Sequence, residues 1–129
     1  MKVTVIHFDK EHGIRNKKIY QEFIKFLQDI LPIKNDVTIN LLNKRIGDMT
    51  TGSRSSDNTI KVLTKGRINR DILRTLAHEW VHEYQRTILN RGKGPDIGGK
   101  NEDEANAFAG SILKKFEKRF PNFEEKMYE

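Results

Sequence analysis

The 129-residue chain contains no cysteine. Disulfides, thiolate zinc fingers, iron–sulfur clusters and a thiol nucleophile are thereby excluded, and any metal must rest on histidines and carboxylates. Long apolar runs are missing as well. The N-terminal KVTVIHF is too short for the core of a signal peptide, and no stretch approaches the ~20 residues of a membrane span. The expectation is a cytoplasmic protein without a membrane partner. Histidine and proline are scarce, at four and three residues, so each one present carries information about a site or a boundary.

What is abundant is charge. Charged residues make up 33% of the chain and hydrophobic ones 36%, a polar composition that still carries patterned apolar segments and so predicts a folded chain. The length fits one domain spanning residues 1–129 with a modest core. The net charge of +6 raises the question of nucleic acid. The basic residues are scattered along the sequence, however, from Lys17, Lys18, Lys44 and Arg45 through Lys61, Lys65, Arg67, Arg70 and Arg74 to Lys114, Lys115, Lys118 and Arg119. No aromatic-interleaved binding motif accompanies them, so contact with nucleic acid or an acidic partner is the secondary expectation beside a solvated basic surface.

KVTVIHF at residues 2–8 reads as a first strand ended by the turn DKEHG. In IYQEFIKFLQDIL, Ile19, Phe23, Phe26, Leu27 and Ile30 recur at helical spacing, and Pro32 closes that scaffold helix. DVTINLL and NTIKVLTKGR read as two strands joined by GDMTTGSRSSDN, a composition typical of a mobile hairpin loop. A helix opening at Asn69 or Asp71 runs to about Asn90, the glycine-rich RGKGPDIGGK breaks the chain, and a last helix runs from about Asn101 to Phe120 before Pro121. The order predicts an α+β fold with a small mixed or antiparallel sheet, its sheet early and its two key helices late.

The chemistry sits in TLAHEWVHEYQ, residues 75–85. Residues four apart on a helix project from one face, so His78 and His82 can offer two imidazole nitrogens to one metal ion, with Glu79 one step around beside it. Leu73, Leu76, Ala77, Trp80, Tyr84 and Ile88 form an apolar stripe, while Asp71, Thr75, His78, His82 and Gln85 lie on the other side. The histidines therefore face away from the main core, against a reading as buried, hydrogen-bonded core residues.

A catalytic zinc commonly takes three protein ligands and keeps one position open. The other histidines, His7 and His12, both precede the motif, and positions 85 and 88 are Gln and Ile, so a third histidine downstream is excluded. The third ligand should be a carboxylate: Asp96 in the glycine-rich loop, or one of Glu102, Asp103 and Glu104 at the head of the last helix. Acids there also suit the helix dipole, and Asn101 with Glu104 resembles a capping box. Glu102 shares a face with the small residues Ala105 and Ala109 and with Asn106, which favours Glu102 as ligand, Glu104 as its competitor, and Asn106 as a partner that orients an imidazole. His7, Asp9 and His12 are better read as strand-end and turn residues than as a second metal site.

TLAHEWVH, followed by E-x-x-A-N-x-F-A from Glu102 to Ala109, resembles the gluzincin metallopeptidases, and most closely their ImmA/IrrE-like branch. His78, Glu79, His82 and Gln85 also resemble the HExxHxxQ of short phage and SprT-like zinc peptidases. The resemblance covers residues 60–115, with the earlier part matching only in element order. It implies a minimal zincin-like fold in a bacterial or phage-infected cell, Zn2+ held by His78, His82 and Glu102, and Glu79 as general base in hydrolysis of a protein or peptide substrate. It also implies that NTIKVLTKG forms the sheet edge along which the substrate lies. Tyr84, Tyr20, Tyr128, Arg54 and His7 are the candidate donors to the developing oxyanion, with a packing role favoured for Tyr84. The rival from another class is a non-catalytic, zinc-stabilised binding module that contacts nucleic acid or a DNA-associated protein. A purely structural site is normally closed by a fourth ligand and has no use for the glutamate beside the metal, which weighs against that rival.

Overall fold

A computed structural model describes residues 4–8, 17–43, 52–54, 58–89 and 100–129. The elements run β1 (Thr4–Phe8), α1 (Lys17–Ile30), β2 (Val37–Leu42), β3 (Gly52–Arg54), β4 (Thr59–Leu63), α2 (Asn69–Thr87) and α3 (Lys100–Arg119), followed by two 3₁₀ turns at Pro121–Phe123 and Lys126–Tyr128. Three helices on one small mixed sheet make an α+β fold, as the order of sequence patterns predicts.

The sheet has the order β1-β2-β4-β3. Strands β1, β2 and β4 are mutually parallel, and β3 lies antiparallel against β4. A parallel pair cannot be closed by a tight turn, and α1 provides the crossover between β1 and β2. The expected hairpin between DVTINLL and NTIKVLTKGR is therefore corrected: those strands pair in parallel, Ile39 opposite Ile60, and the antiparallel return is made by β3, from inside the segment read as loop. Strand β3 is the three residues Gly-Ser-Arg, without a β-branched or aromatic side chain, so only β4's available edge makes it a strand. Strand β4 is hence paired on both sides, so NTIKVLTKG is not a sheet edge; among the described residues the outer strands are β1 and β3.

Strand β2 alternates with period 2, burying Val37, Ile39 and Leu41, and β4 buries Ile60 and Val62. Helix α1 answers with Ile19, Tyr20, Phe23, Ile24, Phe26 and Leu27; Ile30, expected on that stripe, is 40% exposed at the helix end. Helix α2 buries Leu73, Leu76, Ala77 and Trp80 completely, whereas Ile88 lies past its end and is exposed. Trp80 meets its polar need by donating Nε1–H to the carbonyl of Leu31 at 2.9 Å. Helix α3 adds Ile112, Leu113 and Phe116, the last set edge-on to Phe23 at 4.9 Å between ring centres.

Two polar ties fix α2 relative to this core. Asn69 at its start accepts from Tyr20 Oη (2.6 Å) and donates Nδ2–H to the carbonyl of Lys126 (2.8 Å), and its backbone N–H donates to Glu129 (2.9 Å), so the chain's last turn is clamped to the helix N-terminus. Arg67 spans the first turns, donating to the carbonyls of Leu63 and Asp71 and to Thr75 Oγ1 at 2.8, 2.9 and 2.6 Å. Burial pushes the Tyr20 hydroxyl pKa up and the Arg67 guanidinium pKa down, so both groups act here as hydrogen-bonding anchors. No helix among the described residues is long and apolar enough to cross a membrane.

Candidate metal centre

Helices α2 and α3 run antiparallel, tied by His82–Glu102 at one end and by Arg70–Glu117 (3.4 Å) at the other. The small residues Ala105 and Ala109, both fully buried, let the two backbones approach. Between these helices and β3 lies a cleft of about 410 Å³ lined by Gly52, Arg74, Thr75, His78, Glu79, His82, Glu102, Asn106 and Ala109.

His78 and His82 enter this cleft from consecutive turns of α2, their Nε2 atoms 3.1 Å apart. Glu102 bridges both rings: Oε1 stands 2.9 Å from His78 Nε2, and Oε2 stands 2.9 Å from His82 Nε2. Glu79 is 8% exposed, and its carboxylate lies within 4.8 Å of both imidazoles. His78, Glu79 and His82 are close enough together to hold a metal ion.

Gln85, one turn beyond His82, fixes the state of that ring. Its Nε2 donates to the carbonyl of Asn101 (2.9 Å) and to Glu104 Oε1 (3.0 Å), two groups that can only accept. The amide oxygen is therefore the atom that faces His82 Nδ1, at 2.9 Å, and Nδ1 must carry the hydrogen. A neutral His82 then presents the lone pair of Nε2 to the Glu102 carboxylate, so two acceptors meet at 2.9 Å, an arrangement that requires a proton or a cation. The two nitrogens, 3.1 Å apart, are near enough to share one ion.

Burial, and then the adjacent His82, hold the His78 pKa below the ordinary imidazole value; Glu102 and a hydrogen bond to Asn106 oppose that shift without cancelling it. The net effect disfavours the protonated imidazole of His78.

The expected site residues His78, Glu79, His82 and Glu102 all meet in the cleft, and Asn106 reaches His78. Glu104 accepts from Gln85 Nε2 and is absent from the cleft lining among the described residues. Asn101, expected as the cap, lies inside a helix that begins at Lys100. Asp96, Asp9 and His12 fall outside the described residues, as do the side chains of His7 and Arg54. Among the other candidate donors to an oxyanion, Tyr20 is buried against Asn69, Tyr84 packs on the core as its apolar stripe predicts, and Tyr128 is 60% exposed beside the last turn; none lines the cleft.

Three residues in or beside the cleft take roles that local patterns do not give. Gln85, placed by periodicity on the polar side, is 1% exposed; its i, i+3 relation to His82 is the signal that points to its role. Among the described residues, Arg74 is the cation that lines the cleft. Gly52 lets β3 approach α2: a Cβ there would stand 2.5 Å from Thr75 Cγ2 and 3.4 Å from Glu79 Cγ, so the edge strand sits directly against the motif helix. Compared with protein-family models, curated proteins and solved structures, the chain matches none.

Proposed function

We propose that the chain is a zinc-dependent metallopeptidase of the minimal zincin-like kind, hydrolysing peptide bonds in a protein or peptide substrate. The observation that carries the proposal is the convergence of His78, His82 and Glu102 on one point, with the Glu79 carboxylate beside them and one face open to the cleft. In the proposed arrangement the first three hold Zn2+, and Gln85 keeps the His82 tautomer that leaves Nε2 available.

Bound zinc would supply Lewis acidity toward water and the scissile carbonyl at neutral pH. Glu79 is the general base: it takes one proton from the attacking water as the oxygen joins the carbonyl carbon, and delivers it to the amine nitrogen as the C–N bond breaks. Asn106 orients His78, and Arg74 is the cleft cation available to the developing oxyanion. Strand β3 borders the same cleft and, among the described residues, has no strand on its outer side, where an extended substrate backbone could add.

The test has two stages. Zinc per chain, measured by elemental analysis after gel filtration, should be stoichiometric in wild type and in Glu104→Ala and lost in Glu102→Ala. Digestion of a denatured protein mixture, with new N-termini read by mass spectrometry, should then be abolished by Glu79→Gln while zinc is retained. A chain that takes up no zinc sinks the proposal. Equal cleavage by wild type and Glu79→Gln sinks the catalytic half and leaves the zinc-stabilised binding module.

A further inference from the structure

Basic residues that look scattered in sequence are gathered by the fold. Arg70 and Arg74 on α2 and Lys114, Lys115 and Lys118 on α3 line a groove of about 570 Å³ between the antiparallel helices. This groove shares Arg74 and Asn106 with the cleft of the histidines, so the two are consecutive stretches of one furrow. Glu117 partly neutralises Arg70 at 3.4 Å. Among the described residues no carboxylate pairs with Arg74, Lys114, Lys115 or Lys118, and the three lysines and Arg74 are exposed.

We propose that this basic half of the furrow is a subsite for acidic side chains of the peptide that the cleft cuts. The inference rests on the metallopeptidase reading and adds the class of substrate. Like charges held together in a concave surface raise the local potential and select a partner of opposite sign. The spacing sets where the acids must lie. Arg74 is one turn before His78 and Arg70 two turns before it, about 6 and 12 Å along the helix at 1.5 Å per residue. An extended peptide covers those distances in about two to four residues at 3.3 Å each. Acidic residues two to four positions to one side of the scissile bond therefore meet the cations.

An acidic peptide fits better than nucleic acid for two reasons. A chain anchored in the histidine cleft enters the basic half through the shared Arg74 and Asn106 without leaving the furrow. Among the described residues the groove also has no aromatic ring in its lining, whereas single-stranded nucleic acids are held by base stacking on such rings as well as by charge.

The test is binding, independent of turnover. The complete Glu79→Gln chain is titrated by fluorescence anisotropy with a labelled decapeptide of alternating Glu and Ala, with its Gln/Ala counterpart, and with a single-stranded decanucleotide. At low salt the Glu peptide should bind at least about tenfold more tightly than the Gln peptide, a preference that salt removes. Lys114→Gln/Lys115→Gln/Lys118→Gln, at exposed positions, should keep the thermal midpoint and the zinc content and lose that preference. Equal binding of both peptides, a preference untouched by the triple substitution, or tighter binding of the oligonucleotide than of the Glu peptide each overturns the assignment. Zinc content, measured on the same samples, separates the two readings. Acid-selective binding by a chain that takes no zinc supports the groove while removing the peptidase. Zinc and Glu79-dependent cleavage without acid selectivity remove the groove alone.

Discussion

Replacing Gln85 by Met tests the tautomer argument at the centre of the site. The change conserves volume at a position that is 1% exposed, so packing alone should cost less than about 1.5 kcal/mol. It deletes three hydrogen bonds, to His82 Nδ1, the Asn101 carbonyl and Glu104 Oε1. At about 1 kcal/mol net each, and with Glu104 able to turn to water, the metal-free chain should lose about 2–3 kcal/mol in urea unfolding. The specific expectation concerns the metal. Without the amide oxygen, His82 is free to carry its proton on Nε2 and to rotate, so zinc affinity should fall about 10- to 100-fold in competition with a chromophoric chelator. Glu104→Ala removes one of the two contacts that orient the amide and should reproduce a smaller part of the effect. If Gln85→Met loses stability but binds zinc as wild type does, Gln85 is packing only, and the assignment of the His82 proton to Nδ1 is refuted.

Gly52→Ala places a methyl 2.5 Å from Thr75 Cγ2 and should destabilise by about 1–3 kcal/mol, with Thr75→Ser, which removes Cγ2 and keeps the hydroxyl, restoring much of it in a double-mutant unfolding cycle. Because the folded chain binds a proton at His78 more weakly than the unfolded chain does, the His78 contribution to metal-free stability is complete above about pH 6.5 and is lost as pH falls through the lower folded-state value. Urea midpoints of wild type and His78→Gln should therefore diverge between neutral pH and that acid range, and parallel curves would refute the shift. Phe116→Ala empties the centre of a ring cluster with Phe23, Phe26, Phe120 and Phe123 and should cost about 3–5 kcal/mol while leaving zinc affinity unchanged in the folded fraction. A change in affinity would show that the core and the site are coupled.

The three helices and three of the four strands were legible in the sequence to within a few residues, because each carries its own signal: period 2 in VTINL, period 3.6 in the helices, and glycine or proline at their ends. The pairing of His78 with His82 was legible for the same reason, since i, i+4 geometry is a property of one helix. Relations between elements were not. A β-pattern reads alike in parallel and antiparallel pairs, so the order β1-β2-β4-β3 waited on the α1 crossover, and Gly-Ser-Arg became a strand only because β4 offered it a partner. Glu102 and Glu104 stand two positions apart, about 200° around α3, and either suits a helix N-terminus. The rotation of α3 against α2 decides between them, turning Glu102 to the imidazoles and Glu104 to Gln85. The basic furrow has the same origin: Arg70 and Lys118 are far apart in the chain and neighbours only because the helices pack antiparallel. Which groups are available and how each segment folds locally depend on near neighbours along the chain and so can be read from residue order; which groups share a cleft depends on how the helices and the sheet pack, and is set only in the folded molecule.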